Sequence, residues 1–215
     1  MLVRDRMSPK PLTISPDAAF PDAFRMMRDN RIRHLPVVDE QQKLVGVVAR
    51  TDLLHASPSA GGALSLFELN YVLANLHIRD VMTSPPITVP EEVPLEEAAR
   101  LMVEKKIGSL PVMRNGVLVG MITETDIFET FVEVLGGGEP SLRITLRVPD
   151  VRGELARLAC VIAGLDGDVH SVAIFREKDP HEALITFRVA GVDEKTLIDV
   201  LRPQVEEVVH VCCAS

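Results

Sequence analysis

Two runs of oxygen-bearing side chains in this sequence end alike: Ala49-Arg50-Thr51-Asp52 and Thr123-Glu124-Thr125-Asp126. A carboxylate beside hydroxyls can accept hydrogen bonds from the hydroxyl groups of a ligand, and it can equally cap a helix that begins there. Upstream of the first run lie Arg33 and His34, a guanidinium and an imidazole that together attract an oxyanion. At the matching place before the second run stand Gly108 and Ser109. Patterns for catalysis do not occur: there is no Gly-x-Ser-x-Gly, His-Glu-x-x-His or phosphate-binding glycine loop. His34, His55, His77, His170, His181 and His210 are scattered without metal-ligand spacing. Cys160, Cys212 and Cys213, odd in number with two adjacent, make neither a disulfide framework nor a CxxC half-site. The expected chemistry is binding, with no catalytic residue, no metal and no required cofactor.

The elements that would position these residues are written twice, about 75 residues apart. Met7 answers to Met82, Leu12-Thr13-Ile14 to Ile87-Thr88-Val89, Ile32 to Val37 to Ile107 to Val112, and Gly46-Val47-Val48 to Gly120-Met121-Ile122. Such a period is a duplicated supersecondary unit, and the pair should pack about a pseudo-twofold axis that relates two clefts. Phe20, Ala23, Phe24 and Met27 recur at helical spacing, as do Leu95, Ala98, Ala99 and Met102, so helices should start near Phe20 and Leu95. Acceptors and negative charge in Ser15-Pro16-Asp17 and in Glu91, Glu92, Glu96 and Glu97 should favour those helix starts. Each helix is followed by two apolar runs, the second pair joined by Arg114-Asn115-Gly116, a hairpin signal. Each copy therefore reads strand, helix, strand, strand, helix.

Residues 57–76 read as a Ser/Pro/Gly loop and a connecting helix with Leu66, Leu69, Leu73 and Leu76 on one side. Residues 136–140, three glycines before Glu139 and Pro140, read as a linker. Beyond it residues 141–215 alternate as βαββαβ, the ferredoxin-like order. The organisation expected is α+β: copy one at 1–56, copy two at 77–135, and a third domain at 141–215.

A net charge of −8, no Trp and one Tyr remove the basic footprint and aromatic platform that nucleic acids need. No charged run with an apolar leader core and no apolar stretch of about 20 residues occurs, so a cytoplasmic protein without membrane attachment is expected.

The Gly-x-h-Thr-x-x-Asp ending of copy two, matched in copy one except for Ala49, and the Ile-x-x-Leu-Pro-Val strand resemble a tandem CBS pair, or Bateman module, over Leu2 to about Leu135. Asp150-Val151-Arg152-Gly153-Glu154-Leu155 is similar to the Asp-x-x-Gly-x-Leu loop of an ACT domain. The whole arrangement resembles AcuB-type acetoin-utilisation regulatory proteins. The resemblance implies an adenine nucleotide, AMP, ADP, ATP or S-adenosylmethionine, bound with each cleft drawing on both copies. Asp126, Thr123 and Thr125 would then face the ribose, Arg33 and His34 the phosphate, Leu12, Ile32 and Pro36 the base, with Lys10 reaching a distal phosphate.

The second cleft, with Thr51, Asp52, Ile87, Ile107 and Pro111, has Ala49 in place of Thr123 and Gly108-Ser109 in place of Arg33-His34, and is expected to bind more weakly. Asp150, Arg152, Gly153, Glu154 and Leu155 would hold an amino acid through the ACT resemblance; the alternative is a glycine turn capped by Asp150. The function expected is an allosteric sensor acting as a homodimer on a regulated enzyme or transporter. The alternatives are a dimerisation module without ligand and, last, an enzyme.

Overall fold

The computed structural model describes residues 1–56, 76–138, 140–176 and 179–214. The loop and the Leu66-Leu69-Leu73 stripe read at 57–76 therefore lie outside the described residues, apart from Leu76. Two compact units are present, Met1–Ile127 and Phe128–Ser215.

In the first unit, copy one contains α1 (Phe20–Asp29), β2 (His34–Val38), β3 (Leu44–Ala49) and α2 (Arg50–Ala56), preceded by the two-residue β1 (Ser8–Pro9). Copy two contains β4 (Val89–Pro90), α3 (Leu95–Lys105), β5 (Ser109–Arg114), β6 (Val117–Thr123) and the start of α4 (Glu124–Val134), whose remainder belongs to the second unit. Helices α1 and α3 start where the apolar spacing places them. Phe20, Ala23 and Met27 are buried in copy one, and Leu95, Ala98 and Met102 in copy two. The strand read at Leu12-Thr13-Ile14 is shorter than expected: only Ile14 pairs, through one parallel bridge to Val37. The β5–β6 hairpin turns at Asn115 and Gly116, both with positive φ, the backbone that an Asn-Gly step tolerates.

The expected helix-start chemistry is corrected in part. Ser15 Oγ accepts from Asp17 N within its own turn, and α1 begins at Ala19 without a side-chain cap. Glu91 is buried and bound to Arg114, which holds its carboxyl below the usual range, so it serves β5 and not α3. Glu96 and Glu97 do occupy the first turn of α3.

The copies exchange their leading segments. β1 precedes copy one, yet it pairs antiparallel with β6 of copy two, Ser8 against Met121. Thr83, just ahead of β4, pairs with Val47 of β3 in copy one. Val3 is fully buried in the core of copy two, and Ile78 in that of copy one. Glycine makes the close approach feasible. A Cβ on Gly120 would lie 2.4 Å from Met7 Sδ, and one on Gly46 would lie 2.6 Å from Met82 Sδ. The repeated Met and Gly of the sequence are thus partners across the pseudo-twofold axis.

The second unit contains β7 (Ser141–Pro149), α5 (Glu154–Ala163), β8 (Asp168–Arg176), β9 (Glu182–Ala190), α6 (Glu194–Leu201) and β10 (Glu207–Ala214). Its sheet is antiparallel in the order β10-β7-β9-β8. Ile144, Leu146, Val148, Ile185, Phe187 and Val189 on one sheet face pack with Leu158, Ile162, Leu197 and Leu201 of the two helices. The division between units falls inside α4, upstream of Gly136–Gly138.

Candidate functional site

Where β6 ends, Thr123 becomes the cap of α4. Its backbone N donates to Asp126 Oδ2 (2.7 Å), its Oγ1 donates to the same oxygen (2.7 Å), and Asp126 N donates back to Thr123 Oγ1 (3.4 Å). This is a reciprocal capping arrangement. Copy one keeps half of it: Ala49 N donates to Asp52 Oδ2 (2.8 Å), and the hydroxyl is missing. The capping role weighed for both aspartates is therefore real, and it fixes each carboxylate at the mouth of a cavity.

The larger cavity, about 470 Å³, is lined from one side by Lys10, Leu12, Arg31, Ile32, Arg33 and His34, and from the other by Met121, Thr123, Thr125 and Asp126, with Ser8, Pro9 and Pro11 at its edge. Residues assigned from both copies thus meet in one place. Arg33 Nη2 donates to Thr125 Oγ1 (2.9 Å), a hydrogen bond that spans the cleft. Pro36 does not join them; it is buried within β2.

The smaller cavity, about 180 Å³, is lined by the corresponding positions of the other copy: Val47, Ala49, Thr51 and Asp52 face Thr83, Pro86, Ile87, Lys106, Ile107, Gly108 and Ser109. Pro111 is buried in β5 and lines neither. Gly108 and Ser109 stand here in place of Arg33 and His34 as expected, but Lys106 adds a cation to the lining. It occupies the same place as Arg31 in the larger cavity, and both take left-handed backbone, φ 55, at the end of their helices. Neither was singled out from the sequence. The signal available was their shared register, one residue before Ile32 and Ile107.

The cavities still differ in charge. Lys10, Arg31 and Arg33 oppose Asp126 in the first, while Lys106 alone opposes Asp52 in the second. His34 lines both. A Cβ on Gly108 would lie 3.3 Å from Glu124 Oε2, a tight approach, and 3.6 Å from His34 Nε2, an ordinary contact, so the glycine and the imidazole adjoin each other. Burial first, and the Arg33 charge second, lower the His34 pKa against the opposing pull of Asp52 and Glu124. At neutral pH the imidazole is uncharged, and the positive end of the larger cavity belongs to Lys10, Arg31 and Arg33.

In the second unit the Asp150 loop differs from the turn capped by Asp150. Asp150 does not cap α5; its Oδ2 accepts from Arg176 Nε (3.1 Å), and its N donates to His181 O (2.7 Å). The cap position is Gly153, φ 89, a conformation that favours glycine. Glu154 is bound to Arg157, whose Nη2 also donates to Gln204 O (2.7 Å). Arg152 and Leu155 are exposed.

No described helix is long and apolar enough to cross a membrane, and no group of three or more His, Cys, Asp or Glu among the described residues is placed to hold a metal.

Comparison with known proteins bears on the first unit. The family model for the CBS domain matches residues 3–59 and 78–133. A solved structure from Vibrio cholerae, assigned as an acetoin utilization protein (AcuB), is 32% identical with a TM-score of 0.53, covering 63% of this chain and 93% of its own. The CBS domain pair of protein MJ0100, solved with 5'-methylthioadenosine and S-adenosyl-L-methionine, is 28% identical with a TM-score of 0.52, covering 62% and 97%. CBSX2 of Arabidopsis thaliana, solved with AMP, is 31% identical with a TM-score of 0.50, covering 62% and 97%. Among curated relatives, inosine-5'-monophosphate dehydrogenase of Korarchaeum cryptofilum is 36% identical over 118 residues, which span 54% of this chain but only 21% of that enzyme.

Proposed function

Because this chain belongs to the CBS-domain family, with two copies of that domain making up more than half of it, we propose that it is a non-catalytic regulatory sensor whose larger cleft binds an adenine nucleotide. The observation that carries the reading is the meeting of Lys10, Arg31 and Arg33 with Thr123, Thr125 and Asp126 across one cavity. Guanidinium and ammonium groups suit phosphate, the carboxylate and hydroxyls suit a ribose, and Leu12 and Ile32 offer apolar contact to a base. The adenosyl ligands held by MJ0100 and CBSX2 support the ligand class. The smaller cavity, with a single cation, is a weaker site for the same class. A nucleotide can regulate only if it binds two arrangements of the protein unequally.

The finer readings rest on less. The strand order β10-β7-β9-β8 agrees with a ferredoxin-like, ACT-type domain at 141–215. An amino acid at Asp150 to Leu155 would have to compete with the Arg176 and Arg157 ion pairs already made there. A role in acetoin utilisation, acting on an enzyme or transporter, is supported by the likeness to the Vibrio protein. The exposed aromatic rings of Phe128 and Phe131, 66% and 58% accessible, favour a homodimer, and without a nucleotide the chain would be a dimerisation module only. Isothermal titration with AMP, ADP, ATP, S-adenosylmethionine and adenosine tests the sensor: saturable binding of a member of the panel is expected, and no binding of any would leave the module reading.

A further inference from the structure

A third cavity, about 280 Å³, lies outside both clefts, against α1 and the start of α2, and is lined by Pro21, Phe24, Arg25, Met27, Arg28 and Arg50. Three arginines line this one cavity in a chain whose net charge is −8. Their existing partners are weak. Arg25 and Asp22 stand 3.6 Å apart and Arg28 and Asp29 2.8 Å, both pairs between well-exposed side chains, which solvent screens. Arg50 has no acidic partner among the described residues. It also occupies the first position of α2, where the helix dipole disfavours a cation. Met27 is buried, and Phe24 is half-buried with its ring edge against Phe20 at 5.3 Å, so an apolar floor underlies the charges.

The other copy has none of this. Ala99 stands in place of Phe24, Val103 in place of Arg28 and Glu124 in place of Arg50. Arg100, the counterpart of Arg25, is bound by both Glu97 and Glu104. A pseudo-twofold scaffold alone does not require three arginines on one side and a neutralised surface on the other. Copy one departs from the local helix rule at Arg50, whereas copy two obeys it with Glu124, and such departures mark functional positions.

We propose that this cavity binds a small, multiply charged phosphoryl anion through Arg25, Arg28 and Arg50. Planar guanidinium groups match phosphoryl oxygens two at a time, and exchanging exposed Asp22 and Asp29 for a ligand costs little. Arg50 N donates to Arg33 O (2.8 Å), so the cavity shares backbone with the cleft wall that carries Arg33.

The probe is inorganic tripolyphosphate, titrated calorimetrically against the full chain at low and moderate salt. Wild type should bind, more weakly at higher salt. Arg28→Val and Arg50→Glu, the residues of copy two, should each lose about 10-fold or more in affinity. Arg33→Ala, in the neighbouring cleft, should weaken only a second tripolyphosphate site there and leave in place the site that Arg28→Val and Arg50→Glu remove. Both altered arginines are exposed, and thermal melting checks that each variant stays folded. Adding ATP to the Arg33→Ala protein separates the sources: competition assigns the cavity to the phosphate chain of a nucleotide, and its absence to a free polyphosphate. The proposal is overturned if wild type does not bind tripolyphosphate, or if Arg33→Ala abolishes binding while Arg28→Val and Arg50→Glu leave it unchanged. The latter result would place the anion in the cleft and would leave the nucleotide reading standing.

Discussion

Asp126 caps α4 and, in the proposed site, would also hold a ribose, two roles that its substitution would separate. As the reciprocal cap of α4 it contributes about 1 kcal/mol to stability, and it lines the larger cavity, where the ribose is proposed to sit. Asp126→Ala should therefore lower the melting temperature slightly and weaken an adenine nucleotide by roughly 10-fold to 150-fold, while Asp52→Ala costs less affinity. Equal losses in paired titrations would contradict unequal sites. Arg33 gives a sharper separation, because adenosine has no phosphate to lose. Arg33→Ala should weaken AMP several-fold more than adenosine. His34 adds a pH dependence whose sign follows from its lowered pKa. Since the folded state resists protonating this imidazole, its contribution to stability is complete above the ordinary value of about 6.5 and is lost as pH falls through the lower folded value. A bound phosphate favours the protonated form. AMP affinity should therefore be nearly flat from pH 7 to 8 and rise as pH drops below about 6.5, whereas adenosine affinity should not; a matching rise for both would remove His34 from the phosphate end.

At the scale of elements, the sequence carries α1, α3 and the six elements of the second unit because their periodicities are local; α1, α3, β7, α5, β9 and α6 bury an apolar face, while β8 leaves Val172, Ile174 and Phe175 exposed. Phe20, Ala23 and Met27 repeat at 3.6, and Ile144, Leu146 and Val148 alternate at two, so burial follows the pattern residue by residue. The destination of β1 is not legible in that way. Ser8 and Pro9 are both exposed and too few to show a period, and nothing local tells which sheet edge they join. Lys106 escapes for a related reason: its place in the cavity depends on left-handed backbone after α3, not on its type. Asp150 looks like a cap by its position before a helix, yet Arg176, far along the chain on β8, claims its carboxylate. The exchanged segments make their own prediction. Gly120→Ala places a methyl against Met7 and Ser8, so it should destabilise by about 1–3 kcal/mol in denaturant melts. Met7→Ala in the same protein should recover part of the loss, and simple additivity of the two changes would mean that this contact is not what requires glycine.

For the whole molecule, the arrangement of charge matters more than its sum. A net −8 coexists with a cationic cleft and a three-arginine cavity on copy one, so anionic small molecules meet local potentials opposite to the overall charge. The apolar surface of α4 bears on the proposed homodimer. Phe128, Phe131, Val132 and Val134 are each more than half accessible, a run that a second copy would cover. Light scattering at micromolar concentration should give twice the 23.6 kDa chain mass, and Phe128→Ser/Phe131→Ser should shift it toward the monomer. A monomer mass for the unaltered protein would exclude the dimer.

The exchange of leading segments between the copies also governs the order in which the chain can become native during synthesis. The core of copy one needs Ile78, which is made after copy one's own last residue, so copy one is incomplete when that residue leaves the ribosome; copy two needs Ser8 and Pro9, which are made first. Copy one must wait for the lead-in of its twin, and β1 must wait roughly 110 residues for β6. Contacts of such long range form late and keep edges open in the meantime. A nascent chain halted near residue 60 should therefore stay protease-sensitive throughout, and protection should appear in one step once β6 has emerged.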